Sequence, residues 1–304
     1  MTQLLNALPG ALAQGLIWGV MAIGVYITYK VLDIADLTVD GSICTGAAVC
    51  TMLLLRGQSP WLALLCAVLA GVLAGAVTGL LHVGLGIPPI LAGILTQMVL
   101  WSVNLKLLGK ANQALPARTT PVLLSQMDVG GALPVLLGFC VVLVALLVLF
   151  FGTELGCALR ATGCNPVMSR AQGVNTGLMK VIGLALSNGV VALSGALLCQ
   201  YQGYTDVNMG RGAVVIGLAA VVIGQAVLGR RGGRMAVQLG GVILGAVIYY
   251  IVYQVIIFAG FDTDLLKMFS AVVVAVFLGA PHVKAQLKAH SRSKKGDSGH
   301  AENE

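Results

Sequence analysis

GTELGCALRATGCNPVMSRAQGVNTGLMK, residues 152–180, is the longest cytoplasmic-looking polar break between the apolar runs of this chain. It contains a complete short helix. Asn165 is suited to cap the start, and Pro166 suits the first helical position, where its missing N–H costs nothing. Gly173 supplies the left-handed stop. Between them Val167, Met168 and Ala171 fall on one face, and Ser169, Arg170 and Gln172 on the other. A helix of this length between two membrane spans has no core of its own in which to bury an apolar face. That face needs lipid headgroups or another protein, and a protein partner is the expectation.

Composition establishes that spans lie on either side. The chain has 304 residues, 58% hydrophobic and only 10% charged, with a mean hydropathy of +0.95. Soluble domains carry about 25% charged residues, so this is an integral membrane protein. The apolar runs are long and continuous rather than alternating, which predicts an all-α helical bundle and excludes a barrel. The net charge of +7 is no nucleic-acid signal, because five basic residues sit in the tail between Lys284 and Lys295. That tail, 282–304, reads as polar and cytoplasmic, leaving 1–281 as the transmembrane domain. The seven cysteines show no metal spacing and mostly lie in apolar runs, where they act as small hydrophobes.

Nine segments are predicted: about 11–29, a broken one entering at 38–43 and closing at 56, then 61–83, 89–108, 134–151, 178–200, a short one at 213–228, 235–258 and 265–280. Residues 1–10 carry no positive charge, so the first segment is expected to be retained rather than to act as a signal peptide. Nine segments with the tail inside place most Lys and Arg on the cytoplasmic face. Gly71, Gly75 and Gly79 recur every fourth residue, and Gly241 and Gly245 repeat the spacing, both signatures of close helix contact. Glycine-rich faces of this kind are also where two copies of the chain are expected to meet.

Asp33, Asp36 and Asp40 stand just ahead of, or within, the second segment. A bare carboxylate mid-bilayer costs about 2.5–3.5 kcal/mol on insertion scales. Two readings follow. Either residues 38–41 form an irregular stretch facing protein or a wet path, or a solvated loop persists to Ile43. The stretch Asp36-Leu37-Thr38-Val39-Asp40-Gly41 resembles Asp206-Val207-Asn208-Met209-Gly210-Arg211-Gly212, and each leads into small apolar residues. Paired broken segments in the two halves point to an inverted repeat around a central pathway, with chance similarity the alternative. Candidate pathway residues are Asp36, Thr38, Asp40 and Ser42 in the first half, and Asp206 and Asn208 in the second. Gln97 and Asn188 are added as polar positions inside spans, where interhelical hydrogen bonding is the competing role.

Three runs, ELGCALRATGCNPVMSRAQGVNT, LSNGVVALSGALLCQYQGY and ADLTVDGSICTGA, together with IPPILAGILTQ, resemble the branched-chain amino acid/ribose permease family of ABC importers. The resemblance covers about residues 10–280 and is strongest toward the tryptophan/tyrosine amino-acid subgroup. It implies that 165–176 is the coupling helix docked on a cytoplasmic ATPase, with Asn165, Pro166, Val167, Met168, Arg170, Ala171 and Gly173 its carriers. It implies that 36–42 is unwound and lines the path. It further implies a second permease subunit, an ATPase dimer that binds ATP and Mg, and an extracytoplasmic binding protein in the inner membrane of a bacterium. Two positions depart from the pattern: Cys164-Asn165 replaces a frequent acidic residue, and Arg211 stands where small residues are usual.

The chain's own motifs narrow the chemistry. Gly109-Lys110-Ala111 lacks the upstream glycine and the hydroxyl of a phosphate loop, so ATP is expected on a partner. His82 is the one histidine before residue 282 and has no ligand-spaced companion, which predicts no metal site. Neither H-E-x-x-H nor G-x-S-x-G occurs, so no catalytic residue is expected. The competing class is a stand-alone secondary transporter or channel with Asp36 and Asp40 as its coupling-ion site.

Overall fold

The computed structural model describes residues 2–116, 122–228 and 234–258, with isolated positions at 268, 272 and 275. The predicted ninth span, the Arg230–Arg231 turn and the basic tail lie outside the described residues. The rest is a helical bundle. α1 (Thr2–Tyr26) runs on through a π-helical turn to Val31, and α2 is Val39–Leu55. α3 (Pro60–Gly84), α4 (Pro89–Leu108) and α5 (Val129–Gly152) follow. α6 (Glu154–Cys164) and α7 (Pro166–Ala171) fill the central break, and α8 is Thr176–Gln202. α9 (Ala213–Leu228) and α10 (Met235–Phe258) close the described part. Among the described residues six helices are long and apolar enough to cross a membrane, while α2 and α9 are shorter.

Local chemistry sets these boundaries. Ser59 caps α3 ahead of Pro60, Asp128 caps α5 through the Gly131 N–H at 3.0 Å, and Asn175 caps α8 through Leu178 at 3.0 Å. α4 and α8 both end on left-handed glycines, Gly109 and Gly203. The fifth span begins earlier than expected, at Val129, because the Asp128 cap draws the helix start back and leaves Pro134 inside. Two further differences concern the connections. Residues 154–164, read as part of a polar break, form a helix of their own. Asn112–Ala114 (β1) and Tyr204–Asp206 (β2) pair antiparallel, with Gln113 opposite Thr205.

α8 is the mast of the bundle, packed against α1, α2 and α3. Its neighbours reach it through glycine. A Cβ at Gly71, Gly75 or Gly79 would strike α8 near Asn188, Leu184 and Val181 in turn, so α3 runs antiparallel to it. Gly46 of α2 abuts the Ala192 carbonyl and Gly195 of α8 abuts the Ile43 carbonyl, and the pairs Ser42–Asn188 and Cys50–Gln200 set those two helices parallel. α9 and α10 meet where Gly241 and Gly245 face Leu228 and Ala220. These glycine faces are therefore occupied within one chain. The expectation that two copies meet on them does not hold for Gly71, Gly75, Gly79, Gly241 or Gly245, because each already holds two helices of the same chain at backbone contact. α5 instead turns Leu137, Val141 and Leu149 outward, the surface of a lipid-facing helix.

Gly46→Val is expected to destabilise the chain by about 2–3 kcal/mol, an overpacking cost with nothing flexible to yield. Gly240→Val, where nothing lies within 4 Å of the added Cβ, is the control. Thermal unfolding midpoints in detergent compare the two, and equal midpoints would contradict the close α2–α8 contact.

Candidate functional site

At one end of the bundle α6 lies across the end of α1. Thr153 caps α6, Leu159 is fully buried, and Gly163 sits against the Val31 carbonyl so tightly that no side chain fits there. α7 follows at once. Asn165 Oδ1 accepts the N–H groups of Val167 at 3.1 Å and Met168 at 3.0 Å, as its position before Pro166 predicts. Ser169 is turned inward and donates to the Asn165 carbonyl at 2.9 Å, while Arg170 donates to the Thr176 hydroxyl at 3.1 Å. Gly173 takes φ 85°. The polar side of α7 is thus tied to the bundle, and the apolar side is free. Val167 is 78% and Met168 60% exposed, with Ala171, Leu155 and Leu178 also exposed nearby.

Midway along α8 lies a sealed polar network. Asp36 accepts from the Thr38 N–H at 2.8 Å through one carboxylate oxygen and from Asn188 Nδ2 at 2.7 Å through the other. Ser42 donates to Asn188 Oδ1 at 2.6 Å, and the Thr38 and Thr78 hydroxyls bond at 2.8 Å. All are buried. This decides between the two sequence readings: the stretch is packed in protein rather than solvated. It is irregular only through Thr38, because α2 already begins at Val39, so the unwound segments expected over 38–41 and 36–42 are helical from Val39 onward. Asp36, Thr38, Ser42 and Asn188 are brought together. Thr78 was not anticipated; its signal is a hydroxyl placed between the packing glycines Gly75 and Gly79.

The two broken segments meet. The first leaves the α6 end of the bundle at Val31, whereas the second leaves the β1–β2 end at Asp206, so they enter from opposite ends. Each opens on the same turn, an aspartate accepting the N–H two residues ahead: Asp36 to Thr38, and Asp206 to Asn208 at 2.6 Å. Asp40 then closes the junction. Its two oxygens accept the N–H groups of Gly212 and Val214, each at 3.0 Å, which caps the start of α9. Gly210 lies against the Asp40 carbonyl, and its N–H points at Cys44 Sγ, 3.1 Å away.

Beside this junction, between α2, α4 and residues 207–211, is a cavity of about 490 Å³. Asp40, Gln97, Ser102, Asn104 and Arg211 give it polar groups, and Ile94, Met98 and Trp101 an apolar wall. Of the eight candidate pathway residues, Asp40 and Gln97 line this cavity. Asp206 ends β2 and Asn208 lies in the turn after it; neither lines the cavity. Asn104 and Arg211 were visible in the sequence only as polar positions; their convergence on Asp40 needed the fold.

Such a bundle, with two irregular segments meeting inside it, has the build of a membrane transport subunit. Residues 8–280 match the model of the family described as the branched-chain amino acid transport system permease component. The chain is 37% identical over 287 residues to the tyrosine transport system permease protein of Clostridioides difficile, covering 93% of this chain and 94% of that one. It is 30% identical over 200 residues to the autoinducer 2 import system permease protein LsrC of Escherichia coli, covering 62% of this chain and 55% of that one. A solved inward-facing transporter assigned to the metal-chelate ABC type superposes with a TM-score of 0.54 at 14% identity, over 91% of this chain and 85% of that one, and shares the fold. The chain belongs to the branched-chain amino acid/ribose-type permease family of ABC transporters.

Proposed function

We propose that this chain forms the translocation pathway of an ATP-binding-cassette importer for an amino acid. A partner ATPase dimer supplies the energy, a second permease subunit (a copy of this chain) completes the channel, and an external binding protein delivers the solute. The complex sits in a bacterial inner membrane, with α7 and the C-terminus on the cytoplasmic side. ATP and Mg are bound by the partner, and the chain itself carries no catalytic group. The observation that carries this reading is the free apolar face of α7, held rigidly by Asn165 and Ser169 at the end of the bundle. Such a helix is a lever for an attached motor. The relative's tyrosine transport name supports an amino acid as the solute.

In this mechanism the ATPases pull on residues 165–176. α6, wedged against Val31 and Leu32, passes the movement to the irregular stretch 32–38 and so to the Asp36–Asn188 network. A stand-alone carrier is the weaker alternative, because its proposed ion ligands are engaged: Asp36 holds Thr38 and Asn188, and Asp40 holds α9. Tagging the chain and purifying it from its native membrane tests the proposal. An ABC ATPase should co-purify, and reconstituted vesicles should accumulate amino acid only with ATP. Uptake driven by an ion gradient alone would overturn it.

A further inference from the structure

We infer that Cys50 of α2 and Cys199 of α8 form a disulfide site, closed by a disulfide oxidant on the extracytoplasmic side. The inference takes one thing from the transport reading above, the orientation, with α7 inside and the β1–β2 end outside. Three observations carry it. The first is contact. Both residues are fully buried, and their thiols lie in hydrogen-bond contact with each other. Gln200, the residue after Cys199, donates to Cys50 Sγ at 3.4 Å. Thr51, the residue after Cys50, bonds to the Thr205 hydroxyl at 2.6 Å. One turn earlier on α2, Gly46 already meets the Ala192 carbonyl of α8 at backbone contact. A disulfide needs Cα atoms about 4.4–6.8 Å apart, and helices that touch through glycine come that close.

The second observation is place. Cys50 lies near the end of α2 at Leu55, and Cys199 near the end of α8 at Gln202. Both belong to the β1–β2 end, away from α7 and on the side where disulfides form and persist. The third is span. The bridge joins positions about 150 residues apart, and a loop of that length restricts the unfolded chain strongly when it is closed. It pins α2 to α8 beyond their glycine contacts, at the end that α7 does not pull.

The step is thiol–disulfide exchange. One cysteine, as thiolate, attacks a sulfur of the oxidant's disulfide, forming a mixed disulfide and releasing one oxidant thiol. The second cysteine, as thiolate, displaces the other oxidant thiol and closes the bridge. Two electrons and two protons pass to the oxidant, whose own S–S bond is broken. Because both sulfurs are sealed in the folded chain, the exchange takes place before this end of the bundle closes over them.

The test takes the full chain from its native membrane directly into denaturant containing N-ethylmaleimide, which caps every free thiol. Reduction and deuterated N-ethylmaleimide then mark the cysteines that were bridged, and mass spectrometry reads each one. Cys50 and Cys199 should carry the heavy label in most molecules. Without reductant the chain should run faster on a denaturing gel, a shift lost in Cys50→Ala and in Cys199→Ala. Cells grown with dithiothreitol should give both residues the light label. Light label on both from untreated cells would overturn the site, as would a bridge from either residue to a different cysteine. Cys157, exposed on α6, checks the orientation, since it should react with a membrane-impermeant maleimide only in opened cells. If it does so while Cys50 and Cys199 stay light, this inference alone falls. If Cys157 reacts in intact cells, the orientation falls and the inference falls with it.

Discussion

Val167→Asp combined with Met168→Asp should abolish ATP-driven uptake, lowering it on the order of 100-fold, and should leave the chain folded. The two side chains are 78% and 60% exposed and lie on the side of α7 turned away from the bundle. Burying each in a partner groove is worth about 1.5–3 kcal/mol, so losing both, and placing two carboxylates where they were, removes several kcal/mol of docking. The helix itself should not suffer. Positions 167 and 168 belong to its first turn, where acidic residues favour the helix dipole, and the Asn165 cap is untouched. Unfolding midpoints in detergent should therefore match those of the unaltered chain. Uptake and stimulated ATPase activity at normal rates in the double variant would sink the lever.

Asn188→Leu should have the largest effect on stability, on the order of 3 kcal/mol. Asn188 is the side-chain donor to Asp36 at 2.7 Å and the acceptor for Ser42 at 2.6 Å, at the contact of α8 with the irregular stretch and α2. Leucine leaves a buried carboxyl group without that donor and a buried hydroxyl without that acceptor. The companion variant, Asp36→Asn with Asn188→Leu, replaces the stranded acid by an amide that can still accept from Thr38, and should recover at least half of the loss. Circular dichroism melts in detergent compare the two. If the single and paired variants melt together, Asp36 does not depend on Asn188 for its burial.

These outcomes bear on how much could be read in advance. The α7 helix was legible to the residue, because a cap, a helix-starting proline and a stopping glycine act within a few positions of one another: Asn165, Pro166 and Gly173. The spans were legible because about 20 apolar residues are needed to cross a bilayer and few arrangements supply them. The kinship of 36–41 with 206–212 was visible as similar letters, and it appears in the structure as the same aspartate turn entering from opposite ends. The partners of the glycines were not visible. Gly71, Gly75 and Gly79 announce that something comes close, but a four-residue spacing is the same whether the neighbour is α8 or a second copy. α6 was missed for a similar reason. Its weakly apolar run reads as a break until Leu159 and Gly163 are seen packed on other elements.

What the order of residues determined alone was the class of protein, the positions of eight of the membrane segments and the short capped helix with an exposed apolar face at 165–173. These depend on hydropathy and on hydrogen bonds between near neighbours in the chain. Only the tertiary structure decided that Asp36 meets Asn188, that Asp40 caps α9, and that Asn104 and Arg211 share one cavity with it. Those groups are separated by up to about 170 residues. A contact at that range leaves no periodicity or spacing behind, because it depends on how whole helices are laid against one another.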